Sequence, residues 1–122
     1  MREELKKYEN QRGKFRAIFK QFGRKTNWYT QRKETTVLLE NILDNRGKIV
    51  CDHAWLNLTK QFEKLDLKEG DFIQFHARVK PYMKGYEKDE VDLKFSHPTK
   101  VVMLKRKSDF YWKDVEKVVD NV

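Results

Sequence analysis

Residues 65–79 read LDLKEGDFIQFHARV. The second half of this stretch alternates: Ile73, Phe75, Ala77 and Val79 fall on one side, and Gln74, His76, Arg78 and Lys80 on the other. A period of two marks a strand with one buried and one wet face. Lys68-Glu69-Gly70-Asp71, just before it, reads as a turn. In residues 57–66 (NLTKQFEKLD), Leu58, Phe62 and Leu65 recur at helical spacing and Thr59 stands where an N-cap would. A short helix is therefore expected there.

Upstream, Gly13 precedes KFRAIFKQF, in which Phe15, Ala17 and Phe19 alternate with Arg16, Ile18 and Lys20. This is a first strand, expected to end at Gly23 and to be followed by a polar loop, RKTNWYTQRK. ETTVLLENIL makes a second strand and KIVCDHAWL a third. The turn DNRG (44–47) between them, with Asn45 and Gly47 suited to tight-turn angles, predicts a hairpin. Downstream of the alternating fourth strand, PYMKGYEKDE reads as a loop and VDLKF as a fifth strand, with Val91, Leu93 and Phe95 on one side. Pro98 is expected to interrupt ladder pairing, leaving VVML (101–104) as a continuation past a bend or a short extra strand. Residues 1–12 suit a short helix or arm, with Leu5 and Tyr8 as apolar handles. Residues 105–122 suit an amphipathic helix, with Tyr111, Val115, Val118, Val119 and Val122 on one face. The domain proper is expected at 13–104.

Three strands, a short helix and two more strands form the element order of the OB-fold, a five-stranded, partly open Greek-key barrel. The expected fold class is thus all-β, a five-stranded OB-fold barrel with a short helix between strands 3 and 4 and a C-terminal helix. The opening stretch resembles the helix exit, Leu-x-x-Gly-Asp turn and fourth strand of many OB-folds, through Leu67, Gly70, Asp71, Ile73, Phe75, Arg78 and Val79. From Gly13 to Lys100 the chain is similar to small OB-fold proteins of phages and mobile elements of Gram-positive bacteria. The similar pieces are TTVLLENI, DHAWLNLTKQFEKL, GDFIQFHARVKPYMKGY and HPTKV. That resemblance implies nucleic-acid binding, accessory to the element's replication or recombination. The fold by itself does not, because OB-folds also bind proteins and oligosaccharides.

Charge points the same way. The net charge is +8 over 122 residues, and it is not spread evenly. Residues 1–33 hold eleven Lys/Arg and three Glu, whereas residues 34–122 hold sixteen of each sign. Between 12 and 33 there is no acidic residue. Such a field attracts polyanions, while a merely solubilising face mixes both signs. The candidate phosphate contacts are Arg16, Lys20, Arg24, Lys25, Arg32 and Lys33. Trp28 and Tyr29 lie among them, and Tyr82, Lys84 and Tyr86 occupy the second expected loop. Aromatics interleaved with cations suit single strands, where bases stack and phosphates are neutralised. In strand 3, alternation puts Cys51, His53 and Trp55 on one face. If that face is outward, Trp55 is a stacking platform; if inward, it is core and His53 a buried imidazole.

Other chemistries find little purchase. The chain lacks a Gly-rich phosphate loop, Gly-x-Ser-x-Gly and His-Glu-x-x-His, so no catalytic residue is assigned. Cys51, His53, His76 and His97 lack zinc spacing, so no metal or cofactor is expected. No apolar run spans a bilayer, and a lone cysteine suits a reducing, cytoplasmic compartment. The expected partner is single-stranded nucleic acid, DNA before RNA, with no membrane. The competing expectation is a protein-interaction module, for example a phage-encoded inhibitor docking on a host protein, or a homo-oligomer joined through the C-terminal helix.

Overall fold

The computed structural model describes residues 4–84 and 90–106. After a 3-10 turn at Glu4–Tyr8 come β1 (Arg12–Asn27), β2 (Arg32–Leu43), β3 (Ile49–Asn57), α1 (Lys60–Glu63), β4 (Phe72–Lys84) and β5 (Glu90–Lys105). The strands make one antiparallel sheet in the order β3-β2-β1-β4-β5. Of the C-terminal helix expected over 105–122, residues 107–122 lie outside the described residues, and Lys105 closes β5.

With little helix among the described residues to cover it, the sheet buries a face by curling, and β1 lies at the bend. Residues 12–18 of β1 pair with β4, and residues 16–27 pair with β2. Two irregularities bend it. Asn41, at φ 50°, is an extra residue on β2 between the pairs Arg16–Leu43 and Ile18–Glu40, and Lys20 is an extra residue on β1. Extra residues of this kind kink a strand and increase its twist. The sheet curls far enough for its edge strands, β3 and β5, to approach each other.

Inside the curl, Phe15, Phe75 and Phe95 pack with ring centroids 4.9–5.8 Å apart, and Tyr8 lies edge-on to Phe15 at 5.6 Å. Val37, Leu39, Ala54 and Leu56 close the core from β2 and β3. The alternation in β4 holds without exception from Ile73 to Val79. Leu5 is fully buried, so the N-terminal segment is docked rather than a loose arm.

The turn before β4 behaves as its residues suggest. Gly70 takes φ 92°, its N–H reaches the Phe19 carbonyl, and buried Asp71 accepts from the Lys68 N–H. Arg106 bonds the Asp71 carboxylate at 3.1 Å and the Leu65 carbonyl at 2.7 Å, fastening the end of β5 to the same turn.

Several expectations need correction. The helix is a single turn, because β3 runs on to Asn57 opposite Thr36, and the Leu58 N–H still bonds the Thr35 carbonyl. Thr59 precedes it without capping it. The first loop is short: Arg24, Lys25, Arg32 and Lys33 are ladder residues, paired Arg24–Thr35, Lys25–Glu34, Thr26–Lys33 and Asn27–Arg32. Likewise β4 continues through Tyr82 to Lys84. Pro98 does not end β5, since it falls in an irregularity beside His97 (φ 52°), where the ladder needs no N–H from it. VVML is therefore a continuation of β5. Val91, expected on the same side as Leu93 and Phe95, is exposed near the hairpin end, whereas those two are buried.

Candidate nucleic-acid interface

Beyond Gly23, β1 and β2 leave the rest of the sheet as a two-stranded ribbon. Its tip is tied by Asn27, whose side-chain oxygen accepts from the N–H groups of Tyr29 and Thr30. The Gln31 N–H bonds the Asn27 carbonyl, and the Gln31 side chain bonds the Trp28 carbonyl at 2.9 Å. With the turn's polar groups satisfied internally, Trp28 and Tyr29 point away from it, 76% and 99% exposed. Neither folds back over the core. Along the stem, Arg24, Lys25, Arg32 and Lys33 are exposed, and none has an ion pair with a described residue.

Trp55 is not a core residue. It is 46% exposed on β3, opposite Leu38, while Val50, Cys51, Ala54 and Leu56 are buried. His53 is exposed beside it, and the Cys51 thiol is turned to the His53 carbonyl at 3.0 Å. Cys51 lies opposite buried Ile42, whereas His53 lies opposite Glu40 on the far side of Asn41, the positive-φ extra residue where β2 changes phase, which is why Cys51 goes in while His53 and Trp55 stay out. The indole lies over Gly23, where a Cβ would come within 2.6 Å of its ring. The glycine thus makes room for the indole at the foot of the ribbon, and the hydroxyl of buried Thr36 lies 3.0 Å from the same Cβ position.

The remaining candidates are dispersed. Arg16 faces outward on β1 with its Nε on the Gln74 side chain at 3.3 Å. Lys20 pairs with Glu69 at 3.4 Å, an exposed contact of small energetic weight. Tyr82 lies under the Lys94 ammonium, 5.8 Å from the ring centroid. Lys84 ends β4, and Tyr86 lies outside the described residues. Because β4 runs antiparallel to β1 and passes Arg12 at Arg78, the Tyr82 hairpin leaves from the end of β1 opposite to the Trp28 ribbon. The two aromatic groups therefore belong to different ends of the sheet.

The face around Trp55 is not purely cationic. Glu34 stands opposite Lys25 and holds the Asn27 amide at 2.9 Å, and Glu40 stands opposite Ile18 and His53. A surface depression of about 430 Å³ beside the ribbon is lined by Glu34, Thr35, Asn57, Leu58 and Glu63, which suits it poorly to a phosphate. The unmixed cations lie elsewhere and escaped the sequence reading: Arg78, Lys80, Lys94 and Lys100 project outward from β4 and β5 beside Lys14. The signal was present, since Arg78 and Lys80 stand on the outward side of the alternating fourth strand, but only the register sets Arg78 opposite Arg12 and Lys94 opposite Lys80.

Among the described residues no group of three His, Cys, Asp or Glu is placed to hold a metal, and no helix is long and apolar enough to cross a membrane. No family model, curated protein or solved structure matches the chain.

Proposed function

We propose that this chain binds single-stranded nucleic acid, non-catalytically, on an OB-type barrel formed by the curled sheet. Element order, the two-way pairing of β1 and the approach of β3 to β5 support the barrel. One observation carries the ligand: Trp55 stands half exposed with its indole against Gly23, at the foot of a cationic ribbon tipped by Trp28 and Tyr29. Buried aromatics would serve the core, and exposed ones without cations would suit an apolar partner. Exposed aromatics joined to unpaired cations suit a polymer that carries both π-faces and phosphates. DNA is the strand favoured by the resemblance, in an accessory role for a phage or mobile element.

Trp28→Ala and Trp55→Ala test this reading by fluorescence anisotropy of labelled oligo-dT. Each is expected to cost about 1–3 kcal/mol of binding, with little change in salt dependence, because stacking releases few ions. Parent-like affinity in both variants would remove the aromatic site. The protein-interaction reading has its own observation, the exposed Val102 and Leu104 near the end of β5, and would then take precedence.

A further inference from the structure

The outward side of β1, β4 and β5 carries cations in successive rows. Lys80 stands opposite Lys94; Arg12 stands opposite Arg78; Lys14 stands opposite His76; and Arg16 shares its row with Gln74. Lys100 projects from β5 beside His76. Among the described residues no carboxylate falls in these rows, and the first one met along the hairpin is Asp92, opposite Tyr82. Like charges directly opposite each other on neighbouring strands destabilise a sheet. Two such pairs in consecutive rows, with a histidine pair next to them, are costly unless something else uses the charge.

The rows are also spaced for a polymer. Alternate residues of a strand are about 6.6–6.8 Å apart, and neighbouring strands about 4.7–4.9 Å. Cations on that grid can follow successive phosphates of an extended strand. The Arg12 guanidinium already shows how the row binds oxygen, donating across β4 to the His97 carbonyl at 2.7 Å and to Thr99 Oγ1 at 2.6 Å.

We infer that this outward face of β1, β4 and β5 is a second binding surface, taking the sugar–phosphate backbone of the strand whose bases stack at Trp55 and Trp28. The inference rests on the single-strand reading above. It adds that the strand leaves the aromatic site across β1 instead of ending there. Stacking and charge neutralisation are then divided between two faces, which accounts for the carboxylates tolerated near Trp55.

His76 reports on the surface from inside. Its imidazole sits below the ordinary histidine range, first because it is partly desolvated and then because Lys100, Lys14 and Arg12 repel its proton. Phosphates bound to those cations would offset the repulsion and move the His76 pKa back up.

The experiment compares the parent with a Lys14→Ala, Arg78→Ala, Lys100→Ala variant, none of whose three side chains supports the core. Two oligo-dT probes are used, about 6 and about 30 nucleotides long, one near the low end of the ~4–16 nucleotides that one OB-type domain covers and one well beyond it. On the long probe, losing three phosphate contacts should make the slope of log affinity against log salt shallower by about 2 units. Binding of the short probe should remain within about two-fold of the parent. NMR titration of the parent should show the His76 pKa rising when the long probe is bound. An unchanged slope, or a His76 titration unmoved by the bound strand, overturns the second surface. In that event Trp28→Ala still weakening the short probe would leave the aromatic site standing. A variant that loses affinity only for anionic phospholipid vesicles would overturn it equally, by assigning the face to a membrane.

Discussion

Gly23 lacks a side chain, and Trp55 occupies the space one would fill. Two indole carbons lie 2.6 and 2.8 Å from the position of a Cβ there, so Gly23→Ala must lift the ring off the sheet. The expected result is a stability loss of about 1 kcal/mol, at the low end for overpacking because Trp55 is half exposed, together with weaker oligo-dT binding. Thermal melting and anisotropy measure the two effects separately. A glycine inside a strand hints at a close approach, but sequence could not say what approaches, since Trp55 lies thirty-two residues away. The same holds for Tyr8. Read as an apolar handle, it also donates a 2.8 Å hydrogen bond to Asp44. Burial pushes the Asp44 carboxyl up, but N–H donors from Lys48 and Arg46 and the Tyr8 hydroxyl outweigh it, and the net shift is below 3.8. Asp44 therefore stabilises the fold above its unfolded pKa and loses that contribution as pH falls through the lower folded value. Tyr8, raised above 10.0 chiefly by its bond to Asp44, contributes below pH 10.0 and loses it as pH rises through the folded value. Tyr8→Phe should cost about 1 kcal/mol near neutrality and shrink the stability change at both extremes. Equal denaturation midpoints for the two proteins at neutral pH would show the bond to be idle.

Among the elements, the β1–β2 ribbon was the least visible. Arg24 to Asn27 have the composition of a loop, and weak strand formers followed by a polar stretch gave no reason to extend β1. Cross-strand pairing with Arg32 to Thr35 overrides that preference, and the Asn27 turn closes it. The consequence is functional, because cations held on a ladder are presented at fixed spacing. Replacing Arg24 and Lys25 together by Ala should make the salt slope of single-strand binding shallower by about 1 to 1.5 units, without shifting the contribution of Trp28. An unchanged slope would mean that the stem does not touch phosphate. By contrast, β4 was legible residue by residue from Ile73 to Val79, where its alternation is strict, but its continuation through Tyr82 to Lys84 was hidden by a loop-like composition. The helix was overestimated for a stated reason: Leu58, Phe62 and Leu65 do face the core, yet only Lys60–Glu63 need a helical backbone to bring them there.

For the molecule as a whole, the sequence of elements along the chain came through from local patterns, because each strand carries its own buried face and each turn its own Gly, Asp or Asn. What local patterns could not convey was how β1 bends, since that depends on single extra residues at Asn41 and Lys20, and where the hairpins go once it has bent. The aromatic candidates therefore separate into Trp28, Tyr29 and Trp55 toward one end and Tyr82 toward the other, and cations dispersed in sequence gather on the far side of β1. Both arrangements favour an extended ligand over a compact one. The most direct measurement is the affinity of the full chain for a labelled oligonucleotide as a single strand and as the same sequence in duplex, at two salt concentrations. Stacking on Trp28 and Trp55 requires unpaired bases, so the single strand should bind at least about ten-fold tighter than the duplex, a preference of about 1.4 kcal/mol, and should keep that preference as salt rises. Equal affinity for duplex and single strand, or a preference that vanishes with salt, would reduce the interaction to attraction between a basic protein and a polyanion and contradict the account.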